Sequence, residues 1–130
     1  MSACGLWPSA RRLYAVILDE DGQLRRPITA DQSREACQSL LEWLSLSDIR
    51  TVVLSERCHT LIAQARAAHL NIELVPHPLL EAIRCAAGLT HKPPRHTAAL
   101  LARCHLTPML RTHLRHVSFT KQSGTQLPLL

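Results

Sequence analysis

Thr51-Val52-Val53-Leu54-Ser55-Glu56 is a short apolar, β-branched run that ends in a carboxylate just as an amphipathic stretch begins. A run of this length and composition reads as a buried strand. Strand-like and helical segments alternate around it, which places it in the middle of a sheet with Glu56 at the strand's carboxyl end. In open α/β folds, ligands and chemistry gather at that edge. Glu56 is therefore the residue whose company decides whether a site exists.

Working toward the N-terminus, Leu13-Tyr14-Ala15-Val16-Ile17-Leu18 reads as a strand, and Ala3-Cys4-Gly5-Leu6-Trp7, closed by Pro8-Ser9, as another. Asp19-Glu20-Asp21-Gly22 predicts a hairpin turn, because Asp-Gly tolerates positive φ. The returning strand is expected over Gln23 to Ile28, with Pro27 marking its end. Thr29 or Asp31 is expected to cap the next helix, whose apolar face carries Ala36, Cys37, Leu40, Leu41, Trp43 and Leu44. Trp43 is read as a core anchor.

Toward the C-terminus, a helix over residues 57–70 turns at Asn71 into a strand, Ile72-Glu73-Leu74-Val75. Pro76-His77-Pro78 opens a helix that Gly88 terminates, since proline fits a first turn and glycine a C-cap. The linker Thr90-His91-Lys92-Pro93 leads to a helix from Pro94 to about Leu106. Pro108 breaks the chain, a short helix is expected within 109–117, and residues 118–130 are expected to be a flexible tail beyond a single domain, residues 1–117. Three antiparallel strands, helix, strand, helix, strand and then helices is the order of a ribonuclease H-like α/β fold. That fold has a mixed five-stranded sheet, three antiparallel strands then two parallel, with helices on both faces.

The bulk numbers suit one such domain. The chain has 130 residues, 46% hydrophobic and 19% charged, and a domain of this size buries roughly two thirds of its unfolded surface. Aromatics are 3%, so aliphatic side chains must fill the core. No apolar run approaches a membrane span and Met1 to Ser9 lacks the pattern of a signal peptide, so a cytoplasmic location without membrane contact is expected. Five cysteines, Cys4, Cys37, Cys58, Cys85 and Cys104, form no CxxC pair and read as reduced, packed thiols.

The net charge of +5 is unevenly placed. Every acidic residue lies at or before Glu81, and Arg84, Lys92, Arg95, Arg103, Arg111, Arg115 and Lys121 follow with five of the eight histidines. A purely cationic half suits a polyanion such as DNA or RNA, or an acidic partner; a solvated basic surface is the plainer account. Lys92, Arg95 and Arg103, on and before a helix opened by Pro94, form the candidate anion site. Without interleaved aromatics, contact would be to backbone rather than bases.

Two further constellations carry chemistry on paper. His113-x-x-His116 could share a helical face near Cys104-His105 and hold zinc, although no strict spacing motif supports it. Cys58-His59 after Glu56 suggests an activated thiol, since a helix N-terminus lowers a thiol pKa; against that, adjacent helix residues diverge and cysteine more often packs.

Several local spellings, in order, resemble the N-terminal catalytic domain of the DEDD transposases, the insertion-sequence one-ten family with the Piv-type DNA invertases. Gly5-Leu6-Trp7-Pro8-Ser9-Ala10 stands where members read Gly-Ile-Asp-Val-Ser-Lys, and Asp19-Glu20-Asp21-Gly22 looks like their Asp-x-Asp-Gly turn. Leu40-Leu41-Glu42-Trp43-Leu44 is similar to the end of their first helix. Val53 to His59 resembles their Val-x-x-Glu-x-(Thr/Ser)-Gly with the glycine lost, and Leu74 to Pro78 their Val-Val-Asn-Pro with the proline displaced. Lys92 to Arg103 keeps the register of their Lys-Thr-Asp-x-x-Asp-Ala-x-x-Leu-Ala-Arg.

The resemblance, over residues 4–106, implies four metal-binding acidic positions at Trp7, Glu56, Pro94 and Thr97, of which only Glu56 is acidic. Magnesium-dependent cutting and joining of DNA needs several hard oxygen ligands. Asp19, Glu20 and Asp21 cannot substitute, because their turn is expected ~15–20 Å away at the other end of the strands. The serine-bearing second half of such transposases is expected to be missing. The resemblance thus implies a catalytically inactive transposase-like domain with no cofactor, magnesium entering only if the site proved active; the basic C-terminal half adds the expectation of weak nucleic-acid backbone binding. The alternative is a protein–protein interaction or oligomerisation module, a homodimer included, that keeps only the fold.

Overall fold

The computed structural model describes residues 2–89 and 92–117. The tail expected over residues 118–130, like Thr90 and His91 of the linker, lies outside them.

Strands β1 (Ala3–Pro8), β2 (Arg12–Leu18) and β3 (Ile28–Asp31) precede helix α1 (Arg34–Leu46). Then β4 (Thr51–Ser55), α2 (His59–Ala67), β5 (Asn71–Val75), α3 (His77–Ala86), α4 (Pro94–Cys104), α5 (Pro108–Arg111) and β6 (Arg115–Val117) follow. The sheet order is β3-β2-β1-β4-β5-β6, with β1, β4 and β5 mutually parallel and the other pairings antiparallel. The stretch Thr51–Ser55 is central and buried throughout.

Alternation along β4 explains that burial. Val52 and Leu54 face a core built with Cys37, Leu40, Leu41 and Leu44 of α1 and Leu61 and Ala65 of α2. Val53 faces the opposite core with Val75, Leu80 of α3 and Leu101 and Cys104 of α4. Successive side chains of a strand point to opposite faces, so a strand covered on both sides carries apolar side chains toward both, as the run Val52-Val53-Leu54 does. The result is an α/β architecture with helices on both faces of a mixed sheet.

Several expectations are corrected. The sheet has six strands rather than five. The helix expected within 109–117 is a single turn, Pro108–Arg111, after which Arg115, His116 and Val117 pair with Leu74, Glu73 and Ile72 on the open edge of β5. The strand expected at Gln23–Ile28 starts only at Ile28. Leu24 bridges Leu18 and the Arg25 amide reaches the Ile17 carbonyl at 2.8 Å, but Pro27 has no amide to continue the ladder. Pairing resumes one residue out of register at Ile28↔Ala15. The turn before it is closed by Asp19, whose Oδ1 accepts from the amides of Asp21 and Gln23, while Gly22 supplies a φ of +80°.

Thr29 and Asp31 lie in β3, and the cap of α1 is Ser33, whose Oγ accepts from the Ala36 amide at 3.2 Å. Trp43 is 46% exposed rather than a core anchor. At about 100° per residue it lies well off the stripe of Cys37, Leu40, Leu41 and Leu44.

Candidate functional site

Glu56 stands at the carboxyl end of β4, as its sequence position predicts. Its amide donates to the Val75 carbonyl at 3.1 Å, and its Oε2 accepts the amide of His77 at 2.7 Å. His77 is the first residue of α3, and the N-cap Pro76 has no side-chain acceptor. The Glu56 carboxylate therefore supplies the cap from another element, a favourable place for negative charge. Nη1 of Arg115 on β6 stands 3.8 Å from its Oε1.

The three partner positions offer no carboxylate. Trp7, near the end of β1, packs against the α3–α4 core with the Arg84 guanidinium 5.2 Å from its ring centroid, a cation–π arrangement. Pro94 is the first residue of α4, and Thr97 is buried one turn later. An indole, a ring without donor atoms and a buried neutral hydroxyl do not fit a divalent cation. Among the described residues no three His, Cys, Asp or Glu side chains converge in a way that could hold a metal ion. Asp19, Glu20 and Asp21 follow Leu18, which pairs with Ala3 at the start of β1, so the turn lies at the end of the sheet remote from Glu56.

Lys92, Arg95 and Arg103 are all exposed, and among the described residues none is in an ion pair. Lys92 and Arg95 flank the start of α4, while Arg103 is in its last turn. Eight residues of helix separate Arg95 from Arg103 by ~12 Å, so the three form a stripe rather than a single pocket.

His113 and His116 do not share a helical face, since α5 ends at Arg111 and His116 lies in β6. The Cys58 thiol is not activated: burial pushes its pKa up, and a hydrogen bond with the backbone of Ser55 offsets this only in part. Cys4 is pushed up to about 12 by burial, and Cys104 to about 11 by burial and then by the negative charge of Glu73. Cys4, Cys37 and Cys104 are buried and Cys58 is half-buried, whereas Cys85 is exposed on α3 and does not pack.

Sequence reasoning missed the buried pair behind that charge. Glu73, mid-strand on β5, and His105, just past α4, are each 4% exposed at the side chain, with His105 Nδ1 2.8 Å from Glu73 Oε1. His116 Nδ1 of the neighbouring strand is 3.6 Å from Oε2. A carboxylate inside the apolar run Ile72-Glu73-Leu74-Val75 was the available signal, because a buried charge requires a partner. The partner itself, 32 residues away, left no local trace.

No protein-family model matches the chain, and no curated protein matches it.

Proposed function

We propose that the chain is a ribonuclease H-like domain related to the DEDD transposases, without metal-dependent strand cleavage, that holds nucleic-acid backbone through its cationic C-terminal half. The strand order supports the fold assignment: an antiparallel β3-β2-β1 unit is extended by β4 and β5 in parallel, with helices on both faces. The family relationship rests on the quoted spellings. The observation that carries the non-catalytic reading is the engagement of Glu56, whose carboxylate caps α3 while Trp7, Pro94 and Thr97 bring no ligand oxygen of comparable charge. The binding reading draws on Lys92, Arg95 and Arg103, exposed and, among the described residues, without acidic partners.

Filter binding of duplex DNA and of RNA across a salt series tests it. Affinity should fall steeply as salt rises, and substituting Lys92, Arg95 and Arg103 by glutamine should flatten the slope by about 0.9 for each lost phosphate contact. Salt-independent affinity, or no binding at low salt, contradicts the binding reading. Cleavage in magnesium or manganese that disappears in Glu56→Gln contradicts the non-catalytic one.

A second reading, a self-association module, has one observation in its favour. Trp43 and Leu46 stand exposed, 46% and 87%, three residues apart on α1. Sedimentation distinguishes it: a concentration-dependent dimer abolished by Trp43→Glu supports self-association, and a monomer at all concentrations removes it.

A further inference from the structure

A pocket of about 410 Å³ opens beyond the carboxyl ends of β1 and β4, between the first turns of α1 and α2. Cavities of ~300–1,000 Å³ are the size that encloses small organic ligands, and strand carboxyl ends are where α/β folds place them. Pro8, Cys37 and Leu61 contribute apolar wall, and Arg34, Arg57 and His59 contribute the charged and titratable groups. No acidic residue lines it.

Arg50, Arg84 and Arg115 each stand beside a carboxylate, yet among the described residues Arg34 and Arg57 are in no ion pair. The wall is braced from both sides. The Gln64 side-chain amide donates to the Arg34 carbonyl at 3.0 Å, tying α2 to the start of α1, and the Gln32 amide donates to the Ser9 carbonyl. Cys58, the N-cap of α2, makes no side-chain hydrogen bond to the helix, so its own side chain does not occupy the amides that open it. Guanidinium groups match phosphate oxygens in a planar, two-pronged geometry.

We propose that this pocket binds a phosphomonoester carried on a compact apolar body. The charged oxygens would meet Arg34, Arg57 and His59, and the body would lie against Pro8, Cys37 and Leu61. This goes beyond backbone contact at α4, which covers the other face of the sheet, and it stands or falls separately from that reading.

The test is a titration of the isotope-labelled full chain followed by amide NMR, with phenyl phosphate, inorganic phosphate and phenol as probes. Phenyl phosphate should shift the amides of Arg34, Arg57, Cys58, His59 and Thr60 saturably. Inorganic phosphate should act at the same amides at least about tenfold more weakly, and phenol should not saturate them. Arg34→Gln and Arg57→Gln, both exposed, should each weaken phenyl phosphate about tenfold, while Arg66→Gln at the far end of α2 should leave it unchanged. No saturable shift by ~10 mM phenyl phosphate overturns the proposal. So do equal affinity in the two arginine variants, equal binding of phenol, or shifts centred on α4.

Discussion

Gly5 has no side chain because α4 leaves no room for one. A Cβ there would overlap the Ala98 carbonyl oxygen and sit 2.6 Å from the Ala102 amide nitrogen, both backbone atoms that cannot swing aside. Ala98 and Ala102, one turn apart and fully buried, let the helix come that close to β1. Gly5→Ala should therefore destabilise the fold by about 3 kcal/mol, measured by urea unfolding. A loss below about 0.5 kcal/mol would mean that α4 lifts off the sheet without cost. The opposite holds at Asp48, a non-glycine residue at φ +67°. Among the described residues its carboxylate pairs only with Arg50, and both side chains are largely solvated, so little is lost with it. Asp48→Gly should raise stability by about 0.5–1 kcal/mol, and a lowered melting temperature would reject this account of the turn.

At the scale of elements, three helices end in the same way. Past α1, α2 and α3 the residue in the left-handed region is Asp48, His69 and Gly88, and the next amide returns to the carbonyls of Leu44, Ala65 and Arg84. That hydrogen bond satisfies a carbonyl each helix leaves open. Only Gly88 announces this in the sequence, because glycine is the residue that adopts positive φ freely. Starts of helices are less legible. Ser33 caps α1 locally, whereas α3 takes its acceptor from Glu56, 21 residues upstream. Glu56→Gln keeps the shape and removes the charge, so it should cost about 1 kcal/mol of stability with nucleic-acid affinity unchanged. Chemical denaturation beside filter binding checks both halves. β6 was illegible for a different reason. Three residues are too few to display a period of two, and the open edge of β5 makes them a strand.

The whole molecule carries two cores on one sheet, and its buried thiols link it to pH. Cys4 and Cys104 have an ordinary pKa near 9.0, raised in the fold to about 12 and about 11. Below pH 9 both are protonated whether folded or unfolded, and their contribution is fully present. Above it the unfolded chain releases protons that the folded chain retains, so stability falls as pH rises. The loss is about 1.4 kcal/mol per pH unit per thiol and ends once the folded thiol also ionises. Melting temperatures from pH 8 to 11 should decline in the parent and decline less in Cys104→Ala, referenced to its own value at pH 8. Parallel curves would contradict this linkage. Charge is also arranged at this scale. The acidic residues all belong to the first 81 positions, yet Arg34 and Arg57 from that stretch line a pocket without an acid.

What the sequence determined by itself was local: β4 as a buried strand, helices with one apolar stripe, turns at Gly22 and Gly88, and Glu56 at a strand's carboxyl end. These follow from periodicity and backbone preference, which a few consecutive residues express in full. Only the tertiary structure decided that Glu56 caps α3, that Glu73 is buried against His105, that Arg115–Val117 completes the sheet, and that two arginines meet at one cavity. Each of those depends on which distant group arrives to satisfy a buried charge, an open amide or a free edge, and short stretches of chain do not encode that partner.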